Sequence, residues 1–228
     1  MATHLDLEEQ EQLDQLKAFW KQYGNLLTWA LIAVLAAFAA WNAWNWWQRD
    51  QSVKAGAMFD ELESAAGTGD AERAARVFAD MKSRFPRTAF TQQGGLLAAK
   101  VQFDKGQLEP ARATLTWVAE SAREDAYRTV ARLRLAGILL DEKRYDEALK
   151  QLEGPAGGEF GALVADRRGD ILLAQGKKDE AIAAYRAAWA AMDAKIDYRR
   201  LIEAKLNSLG VDPAATAVRP AAVADAAK

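Results

Sequence analysis

The stretch ALVADRRGDILLAQGKKDEAIAAYRAAWAAMDAK, residues 162–195, decides how this chain folds. It divides at Gly176 into two helical runs whose facing positions follow a size pattern. Gly169 on the first run and Ala181 on the second let two helix backbones approach closely, and Tyr185, four positions past Ala181, is bulky enough to fill the next gap. Glycine at 176 relaxes the tight connection between the runs.

The pattern recurs upstream. Ala74, Ala111, Ala148 and Ala181 follow one another at intervals of 37, 37 and 33 residues, and four positions after each comes Phe78, Leu115, Leu152 or Tyr185. Five positions before each alanine stand Gly69, Gly106, Lys143 and Gly176; twelve before stand Leu62, Ala99, Ala136 and Gly169. This spacing resembles the tetratricopeptide (TPR) repeat, with Pro86 closing the first unit where that motif carries its proline. Four units are predicted, over residues 55–88, 92–125, 129–161 and 162–195. One helical pair cannot bury its apolar face alone, so the units stack into a solenoid. In the third unit Gly154-Pro155-Ala156-Gly157-Gly158 shortens the second helix and opens a seam that could serve as a hinge. Ile196, Tyr198, Ile202, Leu206 and Leu209 suit a capping helix ending at Gly210, and residues 211–228, rich in Ala and Pro, are expected to form a disordered tail.

Before the repeats lies LLTWALIAVLAAFAAWNAWNWW, residues 26–47, inside 27 uncharged residues between Lys21 and Arg49. At ~1.5 Å per residue these 22 residues reach about 33 Å, enough to cross a hydrocarbon core of roughly 30 Å. A cleaved signal ending at Ala37-Phe38-Ala39 would need a basic start, whereas the preceding residues are acidic and the apolar run continues past that site. A buried core helix would keep a polar side or be shorter. The expectation is one membrane span with the lipid bilayer as its surroundings. Trp20 and Tyr23 mark one interface and Trp41, Trp44, Trp46 and Trp47 the other, as amphipathic rings do. Ahead of it, Leu13, Leu16, Trp20 and Tyr23 recur at helical steps after an Asp6–Glu9 capping pair, giving an amphipathic segment over residues 1–25. Lys17 and Lys21 before the span balance Arg49 and Lys54 after it, so charge does not orient it.

The expected fold is therefore all-α: an N-terminal transmembrane helix over 26–47, then a TPR-like helical-hairpin solenoid over 51–210 with a C-terminal capping helix. A net charge of -2 gives no basic surplus for nucleic acid. With no cysteine and the single histidine His4, there is no thiolate chemistry, metal cluster or histidine triad, and no phosphate loop or Gly-x-Ser-x-Gly occurs. No catalytic residue, metal or cofactor is expected. Arg168-Gly169-Asp170 spells an adhesion tripeptide, but Gly169 holds a close-packed repeat position.

What remains is surface. First helices line the concave face of such a stack, and the repeat register puts Phe59, Leu96, Phe103, Leu133, Leu140, Leu163 and Leu173 at positions that tend to face it. Only Lys100 is basic among the corresponding positions, so an apolar partner-binding groove is expected, in competition with plain packing between helices.

The chain as a whole resembles the YfgM-type ancillary subunits of the bacterial SecYEG translocon. The likeness rests on Glu8-Glu9-Gln10-Glu11-Gln12-Leu13, Leu16-Lys17-Ala18-Phe19-Trp20-Lys21, one span, and degenerate repeats with Ala131-Arg132-Leu133-Arg134-Leu135-Ala136, Tyr145-Asp146-Glu147-Ala148-Leu149 and Arg168-Gly169-Asp170-Ile171-Leu172. It implies a single-pass inner-membrane protein with a cytoplasmic N-terminus and a periplasmic TPR domain. The implied partners are the SecYEG translocon, a periplasmic chaperone, and emerging secreted or outer-membrane proteins. An anchored TPR scaffold for envelope assembly or stress signalling is the competing expectation.

Overall fold

A computed structural model describes residues 7–154 and 160–213. His4, the Asp6 cap, the seam from Pro155 to Gly158 and the tail beyond Pro213 lie outside the described residues. All described secondary structure is helical: α1 (Leu7–Gly67), α2 (Ala71–Arg84), α3 (Ala89–Asp104), α4 (Leu108–Ser121), α5 (Asp125–Asp141), α6 (Tyr145–Gln151), α7 (Gly161–Ala174), α8 (Lys178–Ala191) and α9 (Tyr198–Ser208). The chain divides into two compact units, one ending at Val53 and the other beginning at Lys54.

In the first unit α1 is long and apolar enough to cross a membrane, and none of its most apolar stretch is buried by the rest of the protein. Leu26, Leu31, Val34, Phe38 and Trp41 are all exposed. Two of its polar side chains bond to the helix itself: Thr28 Oγ1 donates to the Gly24 carbonyl at 2.7 Å and Asn42 Nδ2 to the Phe38 carbonyl at 2.8 Å. Internal satisfaction of this kind is what an apolar surrounding demands.

The second unit is a row of helical hairpins. Each hairpin turn uses the same device, because the four positions Gly69, Gly106, Lys143 and Gly176 all have positive φ, from 61 to 79°. At each, the next residue's N–H reaches back five residues: Asp70 to Ala65, Gln107 to Gln102, Arg144 to Leu139 and Lys177 to Leu172, at 2.8–2.9 Å. This is the Schellman closure, which satisfies carbonyls left open at a helix end. Lys143 adopts the left-handed conformation without being glycine, at a steric cost of roughly 1–2 kcal/mol. Asp70 adds an N-cap on α2, its side chain accepting from Arg73 N at 2.9 Å, and Gly210 closes α9 with the same positive φ.

Between the turns, Ala74, Ala111, Ala148 and Ala181 are fully buried, as close helix approach requires. A further close approach occurs at Gly95 on α3, where an added Cβ would sit 2.5 Å from Val118 Cγ2. The second helix of the third hairpin, α6, has only 7 residues where α2, α4 and α8 have 14 each.

At the C-terminal end α9 is fastened by charge as well as by the buried Ile202 and Leu206. Lys205 Nζ donates to both oxygens of the buried Asp166, at 2.8 and 2.9 Å, and to Asp170 Oδ1 at 2.7 Å. The Tyr198 hydroxyl donates to Asp166 and that of Tyr185 to Asp170, each at 2.8 Å. Burial, and next the bond to a carboxylate, push both phenols above their usual range, so they remain donors. These contacts absorb the adhesion tripeptide: Gly169 lies under the Tyr185 ring and Asp170 is ion-paired.

Candidate partner-binding cleft

The first helices of the second, third and fourth hairpins, α3, α5 and α7, frame a cleft of about 430 Å³, a volume within the range of small-ligand sites. Its floor is made by Ala99, Leu115 and Ile138, all buried in the helical core. Phe103 on α3, 42% exposed, and the half-buried Leu133 on α5 present apolar surface to the opening. Lys100, Arg134, Asp141 and Arg167 add charge, and Gly137 adds bare helix.

The α5 contribution follows from helical spacing. Arg134, Gly137, Ile138 and Asp141 stand at i, i+3, i+4 and i+7, which is one face of a helix, so a cation and an anion are set two turns apart, about 10 Å, with a glycine between them. Arg134 donates one N–H to the Leu96 carbonyl at 2.8 Å, which fixes the guanidinium over the α3–α5 groove. Burial lowers its pKa from the ordinary arginine value, though guanidinium stays charged. Among the described residues no carboxylate pairs with Arg134 and no basic side chain pairs with Asp141. Lys100, by contrast, is paired with Asp104, and Arg167 approaches Asp170 at 3.8 Å.

Of the seven positions read from the repeat register, the structure brings Phe103 and Leu133 together in this cleft. Phe59 and Leu96 are buried in the core, with the Phe59 ring 5.9 Å from that of Phe90. Leu140 and Leu163 are half-buried and pack against core clusters, and Leu173 is exposed outside the cleft. The register missed Arg134, Gly137, Asp141 and Arg167; the one-face spacing on α5 is the signal that could have found three of them. At the other end of the chain, Trp20, Tyr23, Trp41, Trp44, Trp46 and Trp47 are all exposed, with the Trp44 and Trp47 rings 5.3 Å apart. Among the described residues no group of His, Cys, Asp or Glu side chains is arranged to hold a metal ion.

A family model described as a tetratricopeptide repeat-like domain matches residues 17–211. The chain is 30% identical over 210 residues to the ancillary SecYEG translocon subunit of Neisseria gonorrhoeae, an alignment that covers 92% of this chain and 100% of that one. It is 29% identical over 208 residues to the protein of the same description from Escherichia coli, covering 89% and 97% of the two chains. The corresponding Haemophilus influenzae protein is 25% identical over 172 residues, covering 75% and 84%. No solved structure matches.

Proposed function

Because the chain belongs to the family of ancillary SecYEG translocon subunits, with a tetratricopeptide repeat-like domain, we propose that it is a non-enzymatic adaptor of the bacterial inner membrane. Residues 26–47 form the anchor and sit beside the translocon, with Trp20, Tyr23, Trp41, Trp44, Trp46 and Trp47 at its two interfaces. Residues 1–25 are cytoplasmic. The repeat domain lies in the periplasm and uses its concave face to hold a segment of a periplasmic chaperone or of an emerging secreted or outer-membrane protein.

The observation that carries this reading is the union in one chain of an apolar helical stretch that the described residues leave unburied and a stacked repeat domain with an open cleft. A helix with its apolar surface unburied needs lipid or a membrane partner. A row of hairpins with a concave cleft and no catalytic constellation suits holding a polypeptide.

Orientation is tested by protease added to spheroplasts. The expected result is loss of the repeat domain with residues 1–25 protected. A protected repeat domain would reverse the topology and with it the periplasmic partners.

A further inference from the structure

We infer that the α3–α5–α7 cleft reads an extended segment of another polypeptide that presents a side-chain carboxylate and a basic side chain about three residues apart, with a bulky apolar residue between them. The inference rests on the reading of the concave face as the partner-binding surface, and gives that surface its specificity.

The argument is charge complementarity at fixed spacing. Arg134 is a cation oriented by its bond to the Leu96 carbonyl, using one of five donors, and it has no carboxylate partner among the described residues. Asp141 is exposed on the same helix face, equally unpaired, about 10 Å away by helical rise. Two opposite unpaired charges two turns apart, in a cleft that Phe103, Leu133 and Ile138 also line, call for a ligand that carries the complementary pair. An extended chain covers ~3.3 Å per residue, so an acid over Arg134 and a base over Asp141 lie about three residues apart.

Between the charges the trough has room for a side chain. Gly137 contributes no Cβ, and one added there would meet only the Arg167 guanidinium, at 3.7 Å. Phe103 on α3, which is exposed, and Leu133 and Ile138 on α5 line the same cleft, so a phenyl or leucyl group of the segment would meet apolar surface there. Asp141 also decides against a terminal carboxylate. A chain that stopped at Arg134 would leave Asp141 unanswered, whereas one that continues past Gly137 answers both.

The test is fluorescence anisotropy with the full chain in lipid nanodiscs and a labelled, end-capped peptide containing Glu-Phe-Ser-Lys. The peptide should bind, and Gln-Phe-Ser-Lys should bind about tenfold more weakly, the scale of one lost charge-assisted hydrogen bond. Arg134→Gln should abolish the preference of Glu-Phe-Ser-Lys over Gln-Phe-Ser-Lys, weakening binding of the Glu peptide about tenfold. Asp141→Asn should do the same for Lys over Gln at the last position. Equal binding of the Glu and Gln peptides, or a Glu preference that survives Arg134→Gln in a variant with unchanged helicity, overturns the inference. So does tighter binding of a peptide ending at the phenylalanine with a free carboxylate. Binding itself separates the two levels: if the peptides bind without discrimination only the cleft specificity falls, and if none of them binds the reading of the concave face as the partner-binding surface falls with it.

Discussion

Gly169→Val is expected to destabilise the repeat domain by about 3 kcal/mol, lowering the melting temperature of a fragment over residues 51–210 by roughly 6–12 °C. A Cβ at 169 would lie 2.5 Å from Cε1 and 2.6 Å from Cδ1 of Tyr185. The ring cannot retreat. Tyr185 is 1% exposed, and its hydroxyl is tied to Asp170, one residue along from Gly169, at 2.8 Å. Either α7 and α8 separate or the hydroxyl abandons a buried carboxylate, and both outcomes cost stability. Gly137→Ala supplies the contrast on α5, where the added methyl meets only ordinary contact with Arg167. There the gain in helix propensity should stabilise by about 0.5–1 kcal/mol. Circular dichroism melts of the two variants decide the matter: equal and small shifts would mean that α7 and α8 do not pack as described.

The second large effect is expected at Lys205. Lys205→Met keeps an unbranched side chain one atom shorter but leaves Asp166, whose side chain is 3% exposed, with the Tyr198 hydroxyl as its remaining side-chain donor among the described residues. Asp170, one turn away, keeps the Tyr185 hydroxyl and Arg167 at 3.8 Å. Removing one member of a buried ion pair costs about 3–5 kcal/mol, because the other charge stays desolvated. The expected consequence is detachment of α9 from α7 before the rest of the domain unfolds, seen as fast hydrogen exchange in α9 alone. Adding Asp166→Asn should recover part of the loss, since the two changes act on one network. A Lys205→Met protein as stable as wild type, with α9 still protected, would show that apolar packing of Ile202 and Leu206 suffices to hold the cap.

The hairpins were legible in the sequence because their constraints act residue by residue. Ala74, Ala111, Ala148 and Ala181 are buried to 0% exposure where two helices touch, and a larger side chain at any of them forces the pair apart. The turns were legible even where glycine is missing: Lys143 takes φ of 61° because its place in the repeat requires it. Side-chain pairing between non-adjacent helices left no such trace. Asp166 and Lys205 are 39 residues apart, and many other carboxylates and lysines could have been joined by the same logic. The cleft was legible in part, for a related reason. Phe103 and Leu96 both suit the inner face of α3 by register, yet the stack covers Leu96 and leaves Phe103 exposed, a difference set by the side chains of α4 and α5 and not by spacing along α3. Arg134 left no trace in the repeat register, because its bond to the Leu96 carbonyl joins an exposed side chain to a backbone oxygen 38 residues away.

The central claim, that this chain is a membrane-anchored partner of the translocon, is tested most directly by isolating the full chain from inner membranes in mild detergent and probing for SecY. The account predicts that SecYEG co-purifies with the chain and is lost when residues 26–47 are exchanged for an unrelated apolar helix of the same length. Recovery of the intact chain from the membrane fraction without SecYEG would contradict it.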